Sequence, residues 1–378
     1  MKNRLLVIGI VLISTIALTL AYLTSTEDIK RNNKEKYVEK DLLAYSCKEN
    51  IDNREKLALC VKEYISKSVE NKGYKETEID LEKSIEIYPF INKVCHPYAH
   101  IIGKGAFNES RNIKDAILNN TSFCAWGYMH GLYVAASEKY KDNELFDIAL
   151  EGCLYLKEIK GNYYECAHGM GDAFVSSNGL DLLIGVSWCG KIEDKLIRQA
   201  CSEGAANYYF DYRVNNVLKE DKSKATKVEK RILDKEDLYS VCREIKDDID
   251  ILGCMDYATH AQSIFPEGLS LYEKQCLNEK GIYNQGCYKG LGREYAFNFN
   301  LSDEMGLNKC LSSKYNEGVK DCTVAFIFSR TQIARDQKGE IFKKLCNKEY
   351  RGSKKGAEIG CSEVYRMLKS YFDKSFNI

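Results

Sequence analysis

The sequence of 378 residues has no C-x-x-C pair, although it contains sixteen cysteines. Structural zinc sites usually include such a pair, because two thiolates must reach one tetrahedral ion. Proline is scarce, with three residues in the chain, and no alternating apolar–polar run of useful length is present. These absences argue against a thiolate zinc site and against a β-sheet protein, and they favour a mostly helical chain.

The sequence also lacks net charge, because 55 basic residues balance 55 acidic ones. It therefore has no overall field that would recruit nucleic acid. Three G-x-G fragments begin at Gly103, Gly169 and Gly290, but none completes G-x-G-x-x-G after a strand-like run, and no G-x-S-x-G elbow occurs. The sequence thus predicts no nucleic-acid partner, no phosphate-binding loop and no serine nucleophile.

A long apolar run is present at the N-terminus. Lys2 and Arg4 precede an uncharged stretch over residues 5–23, which as a helix would span about 28 Å, close to the hydrocarbon thickness of a bilayer. Basic residues before the run predict a single-pass membrane anchor at residues 1–24, with the C-terminal domain outside the cytoplasm. A cleaved secretory signal is the alternative, and it too gives an extracytoplasmic protein. The polar residues 25–40 should form a stalk.

The cysteines are expected to form eight disulfides, as is typical of proteins in oxidising compartments. Seven pairs follow one another with partners 11 to 15 positions apart: Cys47–Cys60, Cys153–Cys166, Cys189–Cys201, Cys242–Cys254, Cys276–Cys287, Cys310–Cys322 and Cys346–Cys361. Cys95 and Cys124, 29 positions apart, are assigned to each other around an inserted helix.

The first cysteines of successive pairs advance by 34 to 36 residues over most of the chain. A period near 35 residues is the length of one helix–turn–helix unit. We therefore predict an all-α, right-handed solenoid of about eight disulfide-stapled units over residues 41–376. First helices are expected over 237–247 and 269–276, and second helices from the second cysteine onward, as over 254–265 and 287–297. The charged stretch at 211–237 is interpreted as a solvated insertion.

Four second helices carry glycine three positions after the cysteine, at Gly127, Gly169, Gly204 and Gly290. Glycine inside a helix costs about 1 kcal/mol relative to alanine, so its repetition indicates close packing, which we assign to the stapled first helix. Positions two and six after the cysteine lie on the opposite face. Stacked units would align them as a polar stripe: Trp126, His130, His168, Asp172, Glu203, Asn207, Asp256, His260, Lys289 and Arg293.

Repeat proteins use aligned side chains of this kind to bind partners. The leading hypothesis is therefore a membrane-anchored extracytoplasmic scaffold that binds a protein, peptide or glycan along the polar stripe. The alternative for the polar stripe itself is that this face simply meets water.

The histidines support a second hypothesis about function. His96 and His100 are four residues apart, as are His168 and Asp172, and His130 lies on the helix between them. Two histidines at this spacing share a helical face and can bind one divalent ion, so His96, His100, His130 and His168 are candidate metal ligands. The general-base Glu of H-E-x-x-H is absent, and no catalytic residue is assigned. A metal-binding protein, which could be hydrolytic, is the alternative to the scaffold, and no other cofactor is expected.

The period, the cysteine pairs and the fragment Leu291-Gly292-x-x-Tyr295 resemble the Sel1-like and tetratricopeptide-like solenoids. This combination is most similar to that of the secreted cysteine-rich Sel1-like proteins, in which each helix pair carries one disulfide. The resemblance covers residues 41–376, with wider cysteine spacing here. It implies binding of a protein or peptide along a curved surface, without catalysis.

Overall fold

The computed structural model describes residues 43–50, 53–88, 91, 95–118, 124, 127–159, 161–298, 301–334, 339–347 and 354–371. The regular structure in these ranges is entirely helical, so the all-α prediction is confirmed for them. The predicted anchor and stalk at residues 1–40 lie outside the described ranges. Within those ranges no helix has the length and apolar character needed to cross a membrane.

The first half of the chain forms α1 (Leu43–Ser46), α2 (Arg54–Lys72), α3 (Tyr74–Ile87), α4 (His96–Ser110), α5 (Ile113–Ile117), α6 (Gly127–Lys139), α7 (Asp142–Glu158), α8 (Tyr163–Ser177) and α9 (Leu182–Cys189). The second half forms α10 (Lys195–Tyr208), α11 (Lys227–Leu233), α12 (Asp248–Ala258), α13 (Leu269–Cys276), α14 (Gly281–Phe297), α15 (Asp303–Leu311), α16 (Asn316–Ala334), α17 (Glu340–Leu345) and α18 (Lys355–Tyr371). A π-helix continues α10 over Tyr209–Leu218, and short 3₁₀ segments cover Lys48–Asn50, Lys222–Lys224, Cys242–Glu244 and Thr259–Ile264.

The helices form an inner row and an outer row. The even-numbered helices from α4 to α18 make the most extensive contacts, each packing against the next in chain order. The odd-numbered helices lie outside this row, and most pack against the inner helix that follows them. The chain is therefore a helical repeat array built from sequence-adjacent helix pairs, as in a solenoid.

All eight predicted disulfides are formed, with Cα–Cα distances of 5.3 to 5.7 Å. Most of them join the end of an outer helix to the following inner helix. The bridge between Cys95 and Cys124 is different, because α4 and α5 both lie inside its loop. Eight disulfides indicate an extracytoplasmic or secreted protein.

The inner helices start earlier than predicted. Cys254 is the seventh residue of α12 and Cys287 the seventh residue of α14, whereas each was expected to begin its helix. For α12 the start is set by Asp247, whose side chain accepts a hydrogen bond from a first-turn N–H group. Side chains cap other helices of both rows in the same way, namely Asn53, Asn112, Asn162, Asp181, Asp194, Thr226 and Ser302, whereas α14 begins after Lys280 without a side-chain cap. Residues 254–265 accordingly divide into the end of α12 and a 3₁₀ segment.

The first helix expected over 237–247 is also wrong, since that stretch contains only the 3₁₀ turn Cys242–Glu244. The carboxylate of Asp237 accepts a hydrogen bond from Arg243 at 2.9 Å, and Asp247 caps α12. These two side chains hold turns at both ends and leave too few residues for an α-helix. The helix predicted over 269–276 is confirmed as α13.

Removal of a mid-array disulfide should cost measurable stability. The Cys189–Cys201 bridge closes a loop of 12 residues, and closure entropy predicts that Cys189→Ser with Cys201→Ser lowers the free energy of unfolding by about 3 kcal/mol. Urea denaturation of the variant and of the wild-type protein measures this difference. A loss below about 1 kcal/mol would contradict a stapling role for the bridge.

The repeated glycines allow backbone contact between neighbouring inner helices. A Cβ added to Gly131 of α6 would lie 1.9 Å from the carbonyl oxygen of His100 in α4, and one added to Gly204 of α10 would lie 1.8 Å from that of His168 in α8. The glycine face was expected to meet the stapled outer helix, and that assignment is wrong. Only glycine permits so close an approach of two helix backbones.

The insertion at 211–237 is not simply solvated. Phe210, Val214 and Leu218 of the π-helix are buried. Glu229 of α11 is buried as well, and it accepts a hydrogen bond from Arg213 at 2.8 Å. The apolar side chains among the charges hold this segment against the array, and π-helices are often found beside functional sites.

Candidate metal centre

Four histidines from three consecutive inner helices meet in one cluster. His96 and His100 come from α4, His130 from α6 and His168 from α8. The ring centroid of His130 lies 5.2 Å from those of His96 and His100 and 4.9 Å from that of His168. The sequence placed these residues on neighbouring helices, and the structure brings them into contact.

Glycine contacts explain why the imidazoles meet. A Cβ at Gly127 would lie 2.3 Å from the carbonyl oxygen of His96, and the Gly131 contact falls on the carbonyl of His100, one turn later. The backbones of α4 and α6 therefore touch at the two histidine positions. Because the two backbones touch, imidazoles that project from the same side of α4 and α6 lie close to each other.

Asp172 fixes the orientation of His130. Its Oδ2 accepts a hydrogen bond from Nδ1 of His130, and the two residues are 1% and 3% exposed. This bond places the Asp172 carboxylate directly against Nδ1 of His130, so the two side chains present a nitrogen and an oxygen ligand to the same point. The second oxygen of Asp172, Oδ1, is buried and has no hydrogen-bond partner among the described residues.

One potential metal-ligand atom each from His130, His168 and Asp172 can be grouped so that all lie within 4.8 Å of one another. In a tetrahedral zinc site with bonds of about 2.0–2.1 Å, ligand atoms are about 3.3 Å apart. Side-chain movements of roughly 1 Å would close this difference. The three residues are fully buried, so their positions are set by the packing of α6 and α8.

Burial sets the protonation of the cluster. It lowers the pKa of His100 and of His168 well below the ordinary value, and the neighbouring imidazoles add to the effect. Burial also opposes the charged form of His130, but the Asp172 carboxylate outweighs it and raises the pKa of His130. Burial raises the pKa of Asp172, and it raises the pKa of nearby Glu165 to about 7. His100 and His168 are therefore neutral near pH 7, which is the form of imidazole that binds metals.

The cluster opens into a cleft of about 300 Å³. The α4 histidines and Asp172 line one part of it, and the end of α10 with the π-helix lines the other. The complete lining is His96, Pro97, His100, Asp172, Asn207, Tyr208, Asp211, Tyr212, Asn215 and Asn216. Ligands of small size can therefore reach the histidines from one side.

The rest of the polar stripe forms an ion-pair network. Lys289 Nζ lies 2.5 Å from Glu203 Oε1 and 3.0 Å from Asp256 Oδ2. Arg293 donates to Asp256 Oδ1 at 2.8 Å. Glu203, Asp256 and Arg293 are buried, so these charges neutralise one another inside the protein.

The residues of the polar stripe do not form an open face. His130, His168, Asp172, Glu203, Asp256 and Arg293 are buried, and Asn207, His260 and Lys289 are half-buried. The helices α6, α8, α10, α14 and α16 each pack against an inner helix on both sides and against an outer helix, which covers most of their surface. Trp126, the remaining residue of the polar stripe, lies outside the described residues.

Sequence reasoning missed three residues around the centre: Asp211, Tyr257 and Glu294. The ring of Tyr257 lies 5.1 Å from those of His168 and His260. His260 lies 3.3 Å from both Asp211 Oδ1 and Glu294 Oε1. The sequence did distinguish Tyr257, because it occupies the position three residues after its cysteine, where four other units have glycine. Asp211 was hidden in the insertion.

Comparisons with protein-family models, with curated proteins and with solved structures give no match to this chain. What the centre does is therefore inferred from its own side chains. Clustered imidazoles with a buried carboxylate, open to a polar cleft, have the chemistry of a metal site.

Proposed function

We propose that this protein binds a divalent transition-metal ion through His130, His168 and Asp172. The observation that supports this most directly is the buried Oδ1 of Asp172, which has no hydrogen-bond partner among the described residues. A buried polar atom without a partner costs about 1–3 kcal/mol. A cation held between Asp172 and the two imidazoles would remove that cost.

The donor set favours a particular kind of ion. Two imidazole nitrogens and one carboxylate oxygen suit zinc, iron, nickel or copper better than magnesium or calcium, which prefer oxygen ligands alone. Thiolate chemistry is not involved, because the sixteen cysteines are paired in disulfides. His130 Nδ1 and Asp172 already face each other, and an ion bound by both side chains would take the place of the proton between them.

The array serves this centre as a rigid frame outside the cytoplasm. Residues 1–24 would anchor the protein in the membrane, and residues 43–371 would form a right-handed solenoid of the Sel1-like type. Binding of a protein, peptide or glycan along the polar stripe has less support, because six of its ten side chains are buried, and Glu203, Asp256, Lys289 and Arg293 already pair with one another.

Protein purified without a histidine tag should carry stoichiometric zinc, iron, nickel or copper by elemental analysis. His168→Ala removes one ligand and should lower the affinity for that ion by more than about 100-fold, beyond the effect of losing an orienting partner. His260→Ala is the matched control, since His260 lies outside the three-residue group and should leave the tightly bound ion in place. A folded, metal-free wild-type protein that takes up no added ion would refute the proposal.

A further inference from the structure

The three-residue group leaves two of the four clustered histidines unused. His130 contacts all three other rings, but no ring contact joins His168 to His96 or His100 among the described residues. The cluster is therefore elongated, with His130 at its centre. One tetrahedral shell, whose ligand atoms are about 3.3 Å apart, does not extend over it.

His96 and His100 have the geometry of a chelating pair. Their Nε2 atoms are 3.5 Å apart, close to the separation of about 3.3 Å between two ligands of one tetrahedral ion. The Nδ1 of His96 donates to the carbonyl oxygen of Cys124 at 2.8 Å. Since a carbonyl only accepts, the proton is on Nδ1, and in the neutral imidazole the lone pair of His96 is then on Nε2, the atom that faces His100.

The irregular disulfide gives this orientation a fixed support. Cys95 directly precedes His96 in the chain, and its bridge partner Cys124 provides the carbonyl that His96 contacts. The disulfide thus ties the start of α4 to a backbone oxygen that orients the imidazole. This accounts for a bridge that does not follow the spacing of the other seven.

Carboxylates approach the same cleft from two sides. Asp172 lines it beside the α4 histidines, and Asp211 lines it from the π-helix. Asp211 is held there by His260, whose Nδ1 lies 3.3 Å from its Oδ1. Asp172 has two oxygens and belongs to both the cleft and the three-residue group, so it stands between the two pairs of histidines.

We propose that the cleft holds a second divalent transition-metal ion, bound by His96 and His100, and that Asp211, which lines the cleft from the π-helix, moves in to complete the site. The centre is then dinuclear, with Asp172 between the ions. In two-metal sites the ions are about 3.5–4 Å apart, and carboxylates between them offset the repulsion of the two charges. This inference rests on the proposed function, because it adds an ion to the one bound by His130, His168 and Asp172.

The test is the stoichiometry of zinc alone, measured by elemental analysis and native mass spectrometry after removal of weakly bound metal. Wild-type protein should bind two ions, and His100→Gln should bind one. Asp211→Asn should still bind the first ion, and its affinity for the second should be at least about 10-fold lower. Circular dichroism and thermal unfolding show whether each variant is folded.

The outcomes separate the two proposals. One ion in the wild-type protein overturns the second site and leaves the proposed function in place, whereas no ion overturns both. Loss of all zinc in folded His100→Gln means a single shared site and overturns the dinuclear centre. Cobalt(II) substitution adds an independent readout, because two ions in contact with a common carboxylate should show magnetic coupling, and uncoupled cobalt would contradict a position of Asp172 between them.

The Cys95–Cys124 disulfide allows a further test with a matched control. Replacing Cys95 and Cys124 by serine should lower the affinity for the second ion by at least about 10-fold, because the carbonyl that orients His96 is no longer held in place. The first ion should remain bound. Replacing Cys189 and Cys201 removes a regular bridge and should leave both ions bound. Equal zinc binding by the two double variants would contradict the orienting role of the Cys95–Cys124 bridge.

Discussion

Replacing Gly131 with alanine should lower the free energy of unfolding by more than about 3 kcal/mol and abolish metal binding at the histidine cluster. The added Cβ would lie 1.9 Å from the carbonyl oxygen of His100 and 2.5 Å from its Cα. Both are backbone atoms, so no side-chain rotation relieves the clash and α4 must move away from α6. Urea denaturation and zinc titration of the same preparation measure the two effects.

The matched control for this substitution is Gly190→Ala. Gly190 ends α9 with a φ of −60°, and the nearest atom to its added Cβ is the carbonyl oxygen of Ser187 at 3.4 Å. Ordinary van der Waals contact at a helical φ should leave both stability and metal binding nearly unchanged. If Gly131→Ala behaved like Gly190→Ala, the backbone contact between α4 and α6 would not be what brings the histidines together.

The disulfide pairing and the helical class could be predicted because both follow from order along the chain. Cysteine spacing near a dozen residues fits a bridge across one turn, and the 35-residue period fits one helix pair. The grouping of the histidines could also be predicted, since His96 and His100 share one helical face, and His168 and Asp172 share another. These inferences use distances within a unit or between adjacent units.

What covers a helix face could not be predicted in the same way. Periodicity showed that Gly204 and Glu203 lie on different faces, but not that Gly204 would meet the carbonyl of His168 in the preceding inner helix. That contact turns the neighbouring face inward and buries it. Likewise, the charge count of the insertion gave no sign that Phe210, Val214 and Leu218 would hold Asp211 over the cleft.

Replacing Asp256 with alanine should lower the free energy of unfolding by about 3–5 kcal/mol, because it leaves a buried cation without its partner. Asp256 is 3% exposed, and it accepts from Arg293 at 2.8 Å and pairs with Lys289 at 3.0 Å. Lys289 keeps Glu203, but Arg293 loses its hydrogen-bonded carboxylate and keeps only the more distant one of Glu294, at 3.9 Å. A polar stripe that simply met water would instead leave thermal unfolding almost unaffected, so calorimetry of this variant distinguishes the two arrangements.

Two further variants test whether the loss of stability comes from an unpaired buried charge. Glu138→Ala breaks the exposed ion pair with Lys104, and it should change the free energy of unfolding by less than about 1 kcal/mol. Asp256→Leu combined with Arg293→Met removes both buried charges, and it should recover most of the stability lost in Asp256→Ala, since replacing a whole buried pair is often neutral. The Met side chain can still cover the ring of Tyr257, on which the Arg293 guanidinium lies 3.5 Å from the ring centroid. If the double variant were no more stable than Asp256→Ala, the loss would come from packing around Asp256 and not from an uncompensated charge.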